Sequence, residues 1–296
     1  MSATAPTLYS IPPGAPFADA LAEGLTAQAG GDPLDLARAT VILPTRQACR
    51  TVQEAFLRRA GGGALLLPRL IALGDVDAEE LLIGADAALA AGGLAREIPE
   101  PMAEARRRLL LTRLIRQWGE ASPDTETPTI ERATRLAAEL ARLMDQAENE
   151  GLTLDREVLA RLAPDEHAEH WRLTLDFLTI VTAWWPEIAR EEGGLGPAER
   201  RRRLLHAQAE AWREAPPDGP VVAAGATGAM PAAAALLDTV ARLPEGCVVL
   251  PGLDRAADAE TWAAVHADPT HPQHEMARLL DFMGVAREAV GAWRAR

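Results

Sequence analysis

Short apolar runs alternate with helical stretches at both ends of this sequence, and this alternation limits the folds open to it. At the amino end, strands are predicted at Leu8–Ile11, Thr40–Leu43 and 65–67, with helices from Pro16 and over 46–60 between them. Strands that alternate with helices form parallel sheets, because each helix carries the chain back to the same edge of the sheet. The first stretch therefore predicts a parallel α/β sheet.

The middle of the chain carries a different pattern, in which only helices are predicted. Apolar residues recur at helical spacing over 102–118, 129–150 and 167–191. Pro186 is expected to kink or divide the last of these helices, because proline lacks a backbone N–H and clashes with the preceding turn.

The alternation of strands and helices returns after Pro217, with strands predicted at Val221–Ala224 and 247–250 around a helix at 231–243. The simplest arrangement is one α/β domain interrupted by a large all-α insertion. The predicted parts are a first α/β part at 1–76, the insertion at 77–215, the return to the α/β domain at 216–255 and the start of a following segment at 256–296.

All 30 basic residues are arginine, and the chain has no lysine. A P-loop nucleotidase needs a lysine that reaches the β- and γ-phosphates, and Schiff-base chemistry needs a lysine amine, so both classes are excluded. The formal net charge of −13 also opposes non-specific binding to a phosphate backbone. A role on DNA would therefore be local or shared with a partner that supplies positive surface.

Cysteine usage and the amino terminus bear on the compartment. The two cysteines, Cys49 and Cys247, suggest neither a disulfide framework nor a Cys-x-x-Cys metal pair. We find no secretory signal and no apolar stretch of membrane-spanning length. We expect a cytoplasmic protein with no membrane partner.

The turn after the first predicted strand is rich in proline. Parallel α/β folds bind phosphates at such turns through successive backbone N–H groups. Pro12, Pro13 and Pro16 have no N–H, so three donors are missing. We interpret Pro12, Pro13 and Gly14 as a degenerate nucleotide loop that serves as a rigid turn.

A second turn, Gly225-Ala226-Thr227-Gly228, lies between a predicted strand and a predicted helix and resembles a dinucleotide-binding glycine turn. Gly225, Thr227 and Gly228 are therefore candidate cofactor-turn residues. However, Pro231 follows where a third glycine is usual, and no acidic residue ends the next strand. The alternative is a tight turn whose glycines allow close packing.

We predict no metal site and no catalytic residue. His167 with His170, and His271 with His274, are pairs that lack a third ligand at useful spacing. The arginine clusters at 106–108 and 200–203 are interpreted as exposed helix faces paired with glutamates. Contact with phosphates or with an acidic partner is the alternative.

Several stretches, taken together and in order, resemble one family. They are YSIPPGAPFADALAEGL from Tyr9, TVILPTRQACRTVQEAFL from Thr40, LLPRLIALGDVD from Leu66, MDQAENEGL from Met144, the segment from His170 through Pro186, AAGATGAMPAAAALL from Ala223, VVLPGLD from Val248 and HPQHEMARLLDFMGVA from His271. The chain resembles the amino-terminal part of AddB, the B subunit of the alphaproteobacterial AddAB double-strand-break repair helicase–nuclease. No single motif is diagnostic, but the ordered set is specific.

The resemblance implies a RecA-like, superfamily-1 helicase-like sheet domain with a helical 1B-type insertion. It also implies an inactive helicase half that serves as a scaffold beside an ATP-hydrolysing AddA-type helicase–nuclease subunit. The family's catalytic unit is a carboxy-terminal nuclease domain with a divalent metal and an iron–sulfur cluster. None of its residues can be placed on this chain, so we expect a truncated form of a longer protein that carries no cofactor of its own.

Thr45 and Arg46 follow the second predicted strand, where helicase relatives place a segment that contacts DNA. The resemblance makes them the best candidates for DNA contact, since hydroxyl and guanidinium groups commonly bind phosphates. The alternative is a plain helix start, with Thr45 as the cap and Arg46 exposed.

Three functions follow as hypotheses. The first is a non-catalytic structural and DNA-guiding module of a helicase–nuclease that resects double-strand breaks, contacting DNA ends within the complex. The second is an α/β nucleotide- or dinucleotide-binding enzyme that uses Gly225 to Gly228. The third is a protein-interaction scaffold without DNA contact.

The first hypothesis predicts that the purified chain does not hydrolyse ATP, because its first turn lacks phosphate-binding donors and no lysine is present. It also predicts no DNA cleavage, because no residue of the family's nuclease domain can be placed on this chain. The measurement is phosphate release in the presence of magnesium, with a P-loop ATPase as the positive control. ATP hydrolysis that stays with the chain through successive purification steps would overturn this hypothesis.

Overall fold

The computed structural model describes residues 5–30, 33–74, 98–122, 126–161 and 168–293. The chain divides into two compact units, one formed by Met1–Ala95 with Leu204–Arg296 and the other by Arg96–Arg203. The predicted boundary between 76 and 77 lies outside the described residues.

The first unit is built on a parallel sheet. Within the described ranges the sheet has six strands, which are β1 (Leu8–Ile11), β2 (Thr40–Leu43), β3 (Arg69–Ala72), β4 (Val221–Ala224), β5 (Gly246–Pro251) and β6 (Gly291–Ala292). Their order across the sheet is β3-β2-β4-β5-β1-β6, and every pairing is parallel. The prediction of a parallel α/β sheet is confirmed.

The inner strands are apolar along their whole length because both faces of the sheet are covered. All four residues of β4 are buried, and Val41, Ile42 and Leu43 of β2 are at most 1% exposed. Continuous apolar runs of this kind are typical of parallel sheets, whose crossover helices cover both faces. This is why β1, β2 and β4 were predicted with their observed bounds, and why β5, predicted at 247–250, is only one residue longer at each end.

The strand predicted at 65–67 is wrong, because the third strand begins at Arg69, four residues after the predicted start. In the structure Thr40 lies opposite Arg69 and Leu43 opposite Ala72. The N–H of Arg69 donates to the carbonyl of Ala39 at 2.9 Å. Pro68 cannot donate such a bond, so the ladder starts only after it.

Helices of the first unit cover both faces of this sheet. They are α1 (Phe17–Gln28), α2 (Pro33–Arg38) and α3 (Arg46–Arg59), followed after the second unit by helices at Pro231–Arg242, Ala259–Ala267 and His274–Met283. Helices α1 and α3 pack against each other and share a core with alternate residues of the strands, such as Ile11, Val222 and Val249. The helix Pro231–Arg242 contacts β4 and β5.

The second unit consists of helices around its own core. It contains α4 (Glu104–Ala121), α5 (Ile130–Asn149), α6 (Arg156–Arg161), α7 (Ala168–Thr179), α8 (Trp185–Glu192) and the beginning of α9 (Pro197–Glu214). The three predicted helices are confirmed with small shifts at their ends. In the described part of the chain, no helix has the length and apolar character needed to cross a membrane.

Pro186 divides its helix as predicted. A π-helical segment, Ile180–Trp184, joins α7 to α8, and the N–H of Trp185 donates to the carbonyl of Ile180, five residues earlier. Because Pro186 has no N–H, the chain cannot continue α-helical hydrogen bonding across this point. Proline is tolerated here because it falls in the first turn of α8.

The last described residues add an edge strand to the sheet of the first unit. The last strand, β6, pairs with β1, and the backbone N–H of Trp293 donates to the carbonyl of Ser10 at 3.0 Å. The buried indole of Trp293 donates through Nε1 to the carbonyl of Ala20 and meets Tyr9 edge-to-face at 5.6 Å. A Cβ atom on Gly24 would lie 2.5 Å from Cε2 of this indole. The region 256–296 therefore contributes a strand and a core residue to the first unit.

Because Gly24 packs closely against Trp293, a glycine-to-alanine change at this helical position should lower the stability of the chain, whereas such a change in a helix usually raises it. Gly24→Ala should destabilise the chain by up to about 2 kcal/mol, because overpacking costs about 1–3 kcal/mol and better helix propensity returns only about 1 kcal/mol. In a Trp293→Ala background the same change should stabilise the chain. Urea unfolding of the four variants measures both effects, and a stabilising Gly24→Ala in the native background would contradict the predicted packing.

Candidate functional site

The strand order opens a crevice at the carboxyl edge of the sheet. From β2 the chain passes through α3 to β3, whereas from β4 it passes through the helix Pro231–Arg242 to β5. These two connections therefore run in opposite directions along the strand order. Connections that leave neighbouring strands in opposite directions leave a gap above the strand ends. Ligands of open α/β sheets bind in such gaps.

A cleft of about 580 Å³ lies at this point and is called the switch cleft below. It is lined by the start of α1, the end of β2, the first turns of α3 together with Arg58 of its last turn, and the ends of β4 and β5. These residues are Pro16, Phe17, Ala18, Asp19, Leu43, Pro44, Thr45, Gln47, Ala48, Thr51, Val52, Arg58, Ala224, Gly225 and Pro251. The fold therefore brings together Thr45 and Gly225, which the sequence placed in separate candidate sites.

The first turn, Pro12 to Pro16, forms a compact reverse turn at the same edge. Pro12, Pro13 and Gly14 are exposed, and Gly14 has a φ of +91°. The N–H of Ala15 is used by the carbonyl of Pro12 at 3.2 Å. This turn consequently offers few N–H groups to a phosphate, and its degenerate character stays a prediction.

Ser10 is a residue of this edge that sequence reasoning missed. Its buried hydroxyl accepts a hydrogen bond from the N–H of Leu253 at 3.1 Å, while the N–H of Gly252 donates to the carbonyl of Ile11 at 2.8 Å. These bonds hold the loop after β5 against the end of β1. The sequence did contain an indication of this role, namely a serine inside an otherwise apolar strand. Buried polar groups are normally hydrogen-bonded, so such a serine is expected to bond a neighbouring segment.

The turn after β4 is shaped by packing. Gly225 has a φ of +75°, and a Cβ there would lie 3.4 Å from the ring of Phe17. Gly228 has a φ of +73°, and a Cβ there would lie 2.7 Å from Cδ1 of Leu279. Thr227 between them is half-buried. A bulky residue at Gly228 would disturb packing whether or not a cofactor binds, so that substitution cannot test the cofactor role.

The two candidate DNA-contact residues differ in their surroundings. Thr45 caps α3, its hydroxyl accepting the N–H of Ala48 at 3.1 Å, and it also lines the switch cleft. Arg46 is exposed at the first position of α3 and does not line the cleft. Capping and ligand contact are compatible for Thr45, because a hydroxyl that accepts one bond can still donate another.

The two histidines of the second predicted pair, His271 and His274, make local contacts. Nδ1 of His271 accepts the N–H of Gln273 at 3.1 Å, and Nδ1 of His274 lies 3.2 Å from the carbonyl of Val265. His167 and the side chain of His170 lie outside the described residues. Among the residues that are described, no group of three potential ligands could hold a metal ion.

The arginine cluster at 106–108 contributes to ion pairs within the second unit. Nε and Nη2 of Arg106 donate to the two carboxylate oxygens of Glu192, at 3.1 and 2.6 Å. These hydrogen bonds hold the pKa of Glu192 below its usual value. Arg108 pairs with Glu104 one turn earlier. These two pairs fit the interpretation of helix faces neutralised by glutamates.

Arg107 does not fit that interpretation, because it is only 4% exposed. Its Nη1 bonds both carboxylate oxygens of Asp145, at 2.8 and 3.0 Å, and its guanidinium carbon lies 6.0 Å from the ring centre of Trp185. A buried arginine of this kind joins α4, α5 and α8. The expectation that the whole cluster is an exposed face is therefore wrong for this residue.

The second cluster, at 200–203, divides in the same way. Arg200 is buried and donates to the carbonyl of Pro99 at 3.0 Å and to Glu100 at 2.7 Å. Arg202 pairs with Glu148 at 3.0 Å, and Arg203 pairs with Glu199 at 2.6 Å. Most of this basic charge is neutralised by acidic groups of the same unit.

Thiol chemistry is disfavoured at Cys247. Burial raises the pKa of this thiol to about 12, so almost none of it is ionised at neutral pH. The thiolate is the reactive form, and Cys247 therefore acts as a small apolar residue of the sheet core.

The ion pair between Arg107 and Asp145 predicts a large loss of stability for a substitution that removes only one charge. Asp145→Asn should destabilise this unit by about 3 kcal/mol, because it leaves the buried Arg107 cation without its counter-charge. Glu199→Gln is the control, and it should cost about 0.5 kcal/mol because the pair it breaks joins neighbouring turns of one exposed helix face. Urea unfolding measures both, and similar small losses would show that Asp145 does not stabilise the buried cation.

The comparisons with known proteins add no family to this description. No protein-family model matches the chain. No curated protein matches it either.

Proposed function

We propose that this chain is a non-catalytic, DNA-guiding module of an AddAB-type helicase–nuclease, corresponding to the amino-terminal part of the B subunit. In this proposal the α/β unit is a RecA-like, helicase-like domain, and the helical unit is its 1B-type insertion. The ordered stretches that resemble AddB support the proposal. A parallel sheet in the first unit and helices in the second are compatible with it.

The observation that carries the non-catalytic part is the composition of the first strand-to-helix turn. Active nucleotide sites in parallel folds need several free N–H groups at this point. Here Pro12, Pro13 and Pro16 have none, and the N–H of Ala15 is bonded to Pro12. The absence of lysine removes the side chain that would reach the phosphates. A motor role would therefore belong to the AddA-type partner.

The DNA-guiding part depends on α3. This helix carries four arginines, Arg46, Arg50, Arg58 and Arg59, and one glutamate, within a chain of net charge −13. Arg58 and Arg59 pair with Asp19 and Glu23 of α1. Arg46 and Arg50 are exposed near the start of α3, which is the end nearest the carboxyl edge of the sheet. Two arginines are too few for strong binding alone, so contact with a DNA end would need the partner's positive surface.

In this proposal the chain carries no cofactor of its own. The nuclease metal and the iron–sulfur cluster of the family would belong to a nuclease domain outside this sequence. The two cysteines lie in or against the core of the α/β unit, which leaves no set of thiolates for a cluster.

Binding to a labelled DNA end, with and without the AddA-type subunit, tests the proposal across a salt series. We expect binding only with the partner present, weakening as salt rises. Arg46→Ala should weaken it at all sequences and lower the salt slope by about one. Arg38→Ala is the matched control, since this exposed arginine precedes β2 at the opposite edge of the sheet and should leave the slope unchanged.

Two results would contradict the proposal. Equal DNA binding by the partner with and without this chain would favour a scaffold without DNA contact. Equal effects of Arg46→Ala and Arg38→Ala would show that the carboxyl edge of the sheet does not guide DNA.

A further inference from the structure

The switch cleft combines an apolar floor with a short polar rim. Its floor is formed by Phe17, Leu43, Pro44, Val52 and Pro251. Small-molecule sites commonly have this composition and a volume between about 300 and 1,000 Å³. At about 580 Å³ the cleft lies within this range, and it occupies the gap where α/β folds bind ligands.

The rim provides hydrogen-bonding groups of both kinds. The Thr45 hydroxyl accepts the N–H of Ala48, so its own hydrogen is available to a ligand. The Thr51 hydroxyl donates to the carbonyl of Gln47 at 3.0 Å, so its oxygen is available as an acceptor. The amide of Gln47 adds a further donor and acceptor at the same rim.

The charges at the cleft cancel. Arg58 and Asp19 both line it, and they form an ion pair of 2.7 Å with each other. The neighbouring turn has lost N–H donors at Pro12, Pro13 and Pro16, so it adds little positive potential. The cleft is therefore better suited to an uncharged ligand than to a phosphate.

We propose that the switch cleft binds a free, uncharged planar heterocycle of nucleoside size. Its ring would contact Phe17 and Pro44, and its polar edge would bond Thr45, Gln47 and Thr51. Gly225 keeps the floor open, because a side chain at its φ of +75° would meet the Phe17 ring. This ligand is separate from the DNA end of the proposed function, since it needs neither a strand nor a partner subunit.

Thermal unfolding of the whole chain with adenosine, guanosine, cytidine or thymidine tests the inference. A ligand of the folded state raises Tm with concentration. We expect at least one nucleoside to raise Tm, and its 5′-triphosphate to raise Tm less. Thr51→Trp should abolish the rise by filling the cleft, whereas Gln53→Trp should retain it, because Gln53 is an exposed residue of the same helix outside the cleft.

A smaller substitution at the same position controls for the possibility that Thr51→Trp misfolds. Thr51→Val replaces the hydroxyl with a methyl group of similar size, and it should weaken nucleoside binding while leaving the Tm of the unliganded chain nearly unchanged. The inference is overturned if no nucleoside raises Tm, if Thr51→Trp and Gln53→Trp behave alike, or if only an oligonucleotide raises Tm. The last result would contradict this inference but not the DNA-guiding role. A rise in Tm with a nucleoside, without binding to a DNA end, would support this inference and contradict the DNA-guiding role.

Discussion

The pairing of the first strand with two strands from the far end of the chain organises the α/β unit. Leu8 lies opposite Val248 of β5, and Tyr9 lies opposite Gly291 of β6. Closing such a long loop costs conformational entropy, although this cost grows only slowly with length. Burial of β1 and β5 between covering helices, together with the indole of Trp293, offsets that cost.

The same pairing shapes the carboxyl edge of the sheet. Because β1 lies beside β5, the loop after β5 can bond Ser10 and rest against the proline-rich turn. Because β2 lies beside β4, the starts of α1 and α3 and the turn at Gly225 surround one cleft. Thr45 and Gly225 are 180 residues apart in the sequence and meet only through this strand order.

Strands buried on both faces were predictable because their apolar runs are unbroken, and β1, β2 and β4 have the predicted bounds. The edge strand β3 was misplaced, because three leucines resembled a strand more than the sequence Arg69 to Ala72 that forms it. The strand β6 was missed, since two small residues carry no pattern. For the site, the prolines of the first turn were recognisable locally, whereas the hydroxyl of Ser10 and the cleft were not.

Features that depend on the chemistry of single residues can be read from the sequence without the fold. The lack of lysine and the missing N–H groups at Pro12, Pro13 and Pro16 hold in any fold, and Pro186 interrupts any helix. Which side chains come into contact depends on the fold. Arg107 lies in a run of three arginines, yet it alone of the three is buried, because Asp145 and Trp185 surround it. The switch cleft likewise forms where the connections from neighbouring strands run in opposite directions. This depends on strand order and not on local sequence.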